Sequence, residues 1–255
     1  MIVGIIPARF ASTRLNGKPL ADIGGKPMIQ HTYESAKKSK LLDHIVIAVD
    51  NDKVFEVCKS FGADVVMTPE DLPTGSDRIA YVAKKMTEAK IIVNVQGDEP
   101  FINGKMIDQA IEPFLFDTTV KVSTLVKKID NIDDLKSDSI PKVVFDYNNY
   151  ALYFSRSPIP YMRDASNKKE WLENGEFYKH IGLYVYKKSA LMRFTSLEST
   201  DLENLEKLEQ LRMLENGMKI KVVVTDYESF SVDTRRDLEA AREYYESIKN
   251  KRSNK

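Results

Sequence analysis

A short segment near the start of the chain gathers the groups that a polyphosphate needs. It reads Pro7-Ala8-Arg9-Phe10-Ala11-Ser12-Thr13-Arg14-Leu15-Asn16-Gly17-Lys18-Pro19. Arg9, Arg14 and Lys18 offer cations, Ser12 and Thr13 offer hydroxyls, and Gly17 lets backbone N–H groups come close to an anion. The Gly-x-x-x-x-Gly-Lys-[Ser/Thr] spacing of a Walker A loop is absent. On composition alone, a solvated basic loop is an equal reading.

A second segment, Asn94-Val95-Gln96-Gly97-Asp98-Glu99-Pro100, places an acid just after an apolar run. Asp98 is a hard oxygen donor of the kind that holds Mg²⁺ together with phosphate oxygens. An ordinary acidic turn would use Gly-Asp and Glu-Pro as well. Asp233, in Ser231-Val232-Asp233-Thr234-Arg235, is another acid, and taken alone it reads as a helix N-cap. His180 precedes an apolar run and by itself reads as a core hydrogen-bonding residue, with His31 and His44 also structural. Glu206 and Gln210 are four apart and share a helix face, where solvation alone would explain them. Tyr150, Tyr153 and Phe154 read as core and interface residues.

The elements that must position these groups alternate. Apolar runs at 2–6, 45–49, 65–67 and 91–95 read as strands buried on both faces. Between them, 28–38, 53–61, 77–86 and 105–114 read as helices. That order predicts an α/β fold with a mostly parallel sheet, in which ligands bind beyond the carboxyl ends of strands. The loops after Ile6 and Val95 are therefore the first places to search. The second half is less regular, with strands predicted at 121–126, 142–145, 151–154, 182–186 and 219–225. Pro158-Ile159-Pro160 marks an edge or loop. Residues 163–174 are charged and read as an exposed excursion. Leucines at 202, 205, 208, 211 and 214 predict one helix over 202–215, stopped by Gly217, and 236–249 a last helix.

Composition sets the outer bounds. The chain has 255 residues, with 38 Lys+Arg against 38 Asp+Glu. A neutral total argues against a nucleic-acid binder, and 42% hydrophobic residues argue against a disordered chain. No stretch approaches the ~18 apolar residues of a membrane span, and the N-terminus lacks the layout of a signal peptide. Cys58 is the only cysteine, so no intrachain disulfide can form and a cytoplasmic location is expected. The neutral total hides segregation. Residues 1–21 hold three cations and no acid, whereas 197–215 are mainly acidic.

Several segments together resemble the 3-deoxy-manno-octulosonate cytidylyltransferase (CMP-Kdo synthetase) family. In the first half they are Ile5-Ile6-Pro7-Ala8-Arg9 with Ser12-Thr13-Arg14, Gly17-Lys18-Pro19-Leu20, Gly25-Lys26-Pro27-Met28, Thr74-Gly75-Ser76-Asp77-Arg78 and the Gly97-Asp98-Glu99-Pro100 turn. In the second half they are Tyr150-Ala151-Leu152-Tyr153-Phe154-Ser155-Arg156, Lys179-His180-Ile181-Gly182, Leu208-Glu209-Gln210-Leu211-Arg212 and Val232-Asp233-Thr234. They follow the family's order from residue 2 to about 240. The first loop and the Gly-Asp-Glu-Pro turn are widespread among nucleotidyltransferases; the second-half segments are narrower.

The resemblance implies a nucleotide-diphospho-sugar transferase-like fold, a mixed, mostly parallel sheet flanked by helices with a smaller dimerisation and sugar-binding subdomain. It implies one domain over 1–255, with 1–120 mainly nucleotide-binding, 121–200 mainly sugar-binding and dimerising, 201–248 returning to the core, and 249–255 a frayed tail. It implies a homodimer that joins CMP from CTP to an eight-carbon sugar acid, Kdo, releasing pyrophosphate, with Mg²⁺ as cofactor, for lipopolysaccharide synthesis. Arg9, Arg14, Lys18 and Asp98 would be catalytic. Pro7, Ala8, Arg9, Ser12, Arg14, Lys18, Thr74, Gly75, Ser76 and Arg78 would bind the nucleotide. Gln96, Arg156, His180, Glu206 and Gln210 would line the sugar pocket, with Arg156 gripping the carboxylate, and Asp98 and Asp233 would bind the metal. No nucleic acid and no membrane is expected as a partner.

Three positions depart from the family's pattern. Asn16 stands where Pro is usual, Leu72 where His is usual, and Asp201-Leu202-Glu203 where Pro-Leu-Glu is usual. An extra acid such as Asp201 would suit the ammonium of an 8-amino Kdo analogue, so that sugar is an alternative substrate. Another sugar acid, or a non-catalytic nucleotide-binding protein of the same fold, are further alternatives.

Overall fold

The computed structural model describes residues 1–11, 15–165, 167–228 and 230–253. The chain forms two compact units. The first comprises Met1–Asp108 and Ser229–Lys255, the second Gln109–Glu228.

The first unit is built from β1 (Ile2–Ala8), β2 (Asp22–Ile23), β3 (Lys26–Pro27), α1 (Met28–Ala36), β4 (His44–Val49), α2 (Asp52–Ser60), β5 (Asp64–Met67), α3 (Gly75–Lys85), β6 (Ile91–Asn94) and α4 (Gly104–Ile111), in which the division falls. Within it, β1 pairs in parallel with β4 on one side and β6 on the other, and β5 extends the sheet beyond β4. The strand order therefore reverses at β1, which opens a crevice where β1 and β6 end. Ile5, Ile6, Ile47 and Val93 are fully buried, as their uninterrupted apolar runs require. Each such side chain stabilises the fold by about 1.5–3 kcal/mol. Asn51 caps α2 by accepting the Lys53 N–H at 2.9 Å. The last helix of the chain, α11 (Arg235–Ser253), also belongs here, with Leu238 and Ala241 in a cluster with Ile23 and Met28. It runs to Ser253.

The second unit holds α5 (Pro113–Phe116), β7 (Val122–Lys128), α6 (Ile132–Lys136), β8 (Lys142–Phe145), β9 (Ala151–Ser155), α7 (Lys168–Asn174), β10 (Tyr178–Lys187), α8 (Lys188–Thr195), α9 (Asp201–Glu206), α10 (Gln210–Glu215) and β11 (Lys221–Val224). Here β11 lies parallel to β7, while β10 runs antiparallel to β7 and β8, and β8 antiparallel to β9. Residues 201–228 stay in this unit because β11 adds to β7.

Two expectations are corrected. The helix expected over 202–215 is broken into α9 and α10, with Lys207 in the left-handed region at φ 53°. Leu205 is exposed while Leu208 and Leu211 are buried, so the leucine stripe does not form one face. Residues 163–174 are not all an exposed excursion. They include α7, and Trp171 packs against Ile129, Leu135 and Phe177. Among the described residues no helix is long and apolar enough to cross a membrane.

Candidate active site

A cleft of about 580 Å³ opens in the first unit where β1 and β6 end. Pro7, Ala8, Arg9 and Lys18 line it from the first loop, and Gln96 and Asp98 from the segment after β6. Gly75 and Asp233 complete the wall. The backbone comes close here. A Cβ on Gly97 would stand 2.5 Å from the Pro7 carbonyl oxygen, so only glycine lets the two loops meet.

Lys18 is the hub of the cleft. Its Nζ donates to Asp98 Oδ2 at 2.6 Å and to Asp233 Oδ1 at 2.9 Å. Burial alone would lower its pKa, but the two carboxylates outweigh that and hold it above its ordinary value. The ammonium thus stays charged through neutral pH. Lys18 reaches this point because Gly17, at φ 65°, turns the chain into a short 3-10 turn over Lys18–Leu20. Asp98 is fixed from behind, its carbonyl accepting the Val232 N–H at 2.9 Å. That bond also brings the segment carrying Asp233 to the cleft.

Asp233 is not the N-cap that its local sequence indicates. Thr234 precedes α11, and Asp237 accepts the N–H groups of Thr234 and Asp233 at 2.8 and 3.1 Å. The cap is made by the Thr234–Asp237 pair, which leaves the Asp233 carboxylate to Lys18. Among the described residues no third His, Cys, Asp or Glu joins Asp98 and Asp233 in a metal-binding group. Mg²⁺ characteristically takes one or two carboxylates, with water and phosphate oxygens as its other ligands. Two acids on one cleft wall fit that pattern.

Arg9 lines the cleft and donates from Nη2 to the Leu72 carbonyl at 3.0 Å. Ser12 and Arg14 lie outside the described residues. In the segment Thr74–Arg78 the roles divide. Thr74 is the N-cap of α3 in a reciprocal box with Asp77, Gly75 faces the cleft and Ser76 is buried. Arg78, expected at the nucleotide, is not among the residues that line the cleft. It is wholly buried, donates to Asp50 Oδ2 at 3.0 Å and also bonds Thr68. Burial lowers its pKa, with Asp50 opposing.

Asp50 is a residue that the sequence reading missed. Its second oxygen accepts the Phe10 N–H at 2.9 Å, so a buried ion pair anchors the start of the loop after β1. An acid directly after the β4 strand was the available signal.

In the second unit, the residues expected at the sugar are heavily engaged. Arg156 donates from Nε to the Glu206 carbonyl at 2.6 Å and from Nη1 to the Asp138 carbonyl at 2.8 Å. Its guanidinium thus caps the C-terminus of α9, where carbonyls lack helical partners. A sugar carboxylate at Arg156, as the resemblance implies, would meet a guanidinium that also holds these carbonyls. Glu206 accepts from Ser155 Oγ at 2.7 Å and from the Arg156 N–H at 2.9 Å. Both its oxygens are used within the protein, and the break at Lys207 separates it from Gln210. Gln210 is buried, and its Nε2 has no hydrogen-bond partner among the described residues. His180 lies inside β10, with Nε2 3.0 Å from Thr124 Oγ1 and its ring against Phe154 and Tyr184. Desolvation there pushes its pKa down to about 3. A ring so hard to protonate is a weak general base.

A cleft at the strand-order reversal of a parallel sheet, lined by Arg9, Lys18 and the paired acids Asp98 and Asp233, marks a nucleotide-handling α/β protein. Residues 3–220 match the family model described as cytidylyltransferase. The chain belongs to the 3-deoxy-manno-octulosonate cytidylyltransferase family and is a nucleotidyltransferase. It is 51% identical to the 3-deoxy-manno-octulosonate cytidylyltransferase of Geobacter sulfurreducens, over 95% of this chain and 98% of that one. Its identity to the protein of the same name from Pelobacter propionicus is 49%, over 98% and 99%. Among solved structures, it resembles a CMP:2-keto-3-deoxy-manno-octonic acid synthetase complexed with CTP. That match has a TM-score of 0.90 and 37% identity, covering 97% of this chain and 99% of the other. The α/β fold with a mixed, mostly parallel sheet follows from the same likeness.

Proposed function

We propose that the protein transfers CMP from CTP to Kdo, giving CMP-Kdo and pyrophosphate, as a Mg²⁺-dependent cytoplasmic enzyme of lipopolysaccharide synthesis. The observation that carries this is the joining of Asp98 and Asp233 through Lys18 in a 580 Å³ cleft beside Arg9. The close relatives named for this reaction support the choice of nucleotide and sugar.

In the reaction the anomeric hydroxyl oxygen of the sugar forms a bond to the α-phosphorus. The bond from that phosphorus to the bridging oxygen breaks, pyrophosphate departs, and the hydroxyl proton is lost. Positioning and charge neutralisation dominate such chemistry. Arg9 and Lys18 offset the charge that grows on the departing pyrophosphate. Asp98 and Asp233 would hold Mg²⁺, which when bound supplies Lewis acidity at phosphate oxygens and favours an ionised hydroxyl. With that metal no dedicated base is required, in keeping with the weak basicity of His180. The free Nε2 donor of buried Gln210 supports a role in sugar binding, since an unpaired buried donor gains most from a ligand acceptor.

A homodimer is part of the reading. The family resemblance supports it, and Leu152, 62% exposed on strand β9, offers a partner an apolar side chain. Buried Cys58, its thiol pushed up to about 12, needs no oxidising surroundings. Asp201 sits in the exposed first turn of α9, where a helix N-terminus accounts for an acid, so the sugar favoured is Kdo itself.

The test is pyrophosphate release from the four common nucleoside triphosphates, each paired with Kdo, 8-amino-Kdo and sialic acid, with and without Mg²⁺. Release confined to CTP with Kdo and Mg²⁺ is expected. A higher kcat/KM for the amino sugar would move the assignment to that analogue. Equal rates with sialic acid would overturn the sugar assignment.

A further inference from the structure

The second unit carries a cleft of about 500 Å³ whose residues the proposed reaction does not use. It lies where β7 and β11 begin. Lys121 directly precedes β7, Lys219 comes just before β11, and Arg193 projects from α8. Val122, Ala190 and Met218 give it an apolar floor. His180 lies on β10 seven residues before Lys187, roughly 20 Å along the strand from this end.

Its electrostatics are one-sided. Lys219 and Lys221 bring their Nζ atoms to 5.6 and 4.9 Å from the centre of the Tyr150 ring. Lys187, at the end of β10, donates to the Thr118 carbonyl beside the cleft. The unit's ion pairs are made elsewhere, as Lys127–Glu228, Lys128–Glu176, Lys179–Asp134 and Arg212–Glu203. Among the described residues none of them involves Lys121, Arg193 or Lys219. The nearby acid Asp117 is committed to Thr119, accepting its N–H at 2.8 Å and its hydroxyl at 2.6 Å. Those two bonds, with Lys221 and Lys187 beyond them, hold the Asp117 carboxyl below its usual range.

Like charges gathered from separate chain segments repel one another, and a bound anion relieves that repulsion; Arg193 also donates to the Asn216 carbonyl at 3.1 Å. A concave wall concentrates the resulting field and supplies several donors to one ligand. The volume exceeds that of a single phosphate, and the cations stand on three different segments, which suits several linked charges. We propose that this cleft is a binding site for a small polyphosphate anion, either inorganic or carried by a nucleotide.

Methionine methyl groups make the test direct, because Met218 lines this cleft and Met28 lines the one holding Lys18. The full-length chain labelled with ¹³C at methionine methyls would be titrated with tripolyphosphate and separately with ATP, at 150 mM salt. A saturable shift of the Met218 methyl is expected. Arg193→Gln and Lys219→Gln together should weaken that response at least tenfold while the Met28 response keeps its midpoint. Tighter binding of ATP than of tripolyphosphate would identify the nucleotide form; equal binding would identify the phosphate chain. The absence of a saturable Met218 shift, or a shift unchanged in the double variant, would overturn the proposal. Because both replaced side chains are exposed, the variants should fold, and the unchanged Met28 signal verifies it.

Discussion

The ammonium of Lys18 stands 2.6 Å from Asp98 and is shared with Asp233 at 2.9 Å. One cation therefore joins the loop after β1, the turn after β6 and the segment before α11. Lys18→Met should leave two carboxylates facing each other at the cleft. The expected loss in kcat/KM for CTP is about 10²-fold or more, the scale of removing one preorganised charge-stabilising donor. Steady-state kinetics at saturating sugar would show it. A loss below threefold would mean that Lys18 is only a structural tie.

The Asp50–Arg78 pair offers a separate test, because Asp50 also accepts the Phe10 N–H. Asp50→Ala removes both bonds and should raise KM for CTP at least fivefold. Asp50→Asn can still accept from Phe10 and should keep KM closer to that of the parent. Both variants strand a buried guanidinium and should lose about 3–5 kcal/mol in urea unfolding. An unchanged KM in Asp50→Ala would separate the ion pair from the loop.

Gly97 tests the close approach of the two loops. Gly97→Ala places a methyl group 2.5 Å from the Pro7 carbonyl, so one loop must move. We expect destabilisation of about 1–3 kcal/mol, the usual cost of overpacking. CTP affinity should fall with it, read by calorimetric titration. Parent-like stability together with parent-like affinity would contradict the geometry.

His180 gives a pH signature. Its folded pKa, pushed down to about 3, lies below the ordinary value of 6.5, so the unfolded chain binds the proton more readily. The stabilisation is fully present above pH 6.5 and is lost as pH falls towards 3. The slope approaches about 1.4 kcal/mol per pH unit inside that window. His180→Gln should show a shallower loss of stability between pH 6.5 and 4.5 than the parent. A ring that protonates by NMR near pH 6 would contradict the assignment.

The cleft was legible in the sequence because its signals are local. Three cations, a glycine and an apolar strand lie within a few residues, and Asp98 follows β6 directly. The Asp50–Arg78 pair was not legible, since it joins the end of β4 to α3 through tertiary packing that no local pattern encodes. The break at Lys207 was hidden for a related reason. Leucine and glutamate at these positions favour a continuous helix. The native chain instead lets Arg156 cap α9 and bury Leu208. Arg156 and Glu206 thus carried a family signal whose visible task in this fold is to shape the end of β9 and α9. Asp233 shows the reverse. Its local context favoured a cap, and the Thr234–Asp237 box released it for Lys18.

The most direct measurement of the central claim is turnover of CTP and Kdo by Asp98→Asn in the presence of Mg²⁺. This change keeps the shape of the side chain while removing the charge that meets Lys18. The account predicts at least a 10²-fold fall in CMP-Kdo formation with an unchanged circular dichroism spectrum. Near-parent turnover by a folded Asp98→Asn protein would contradict it.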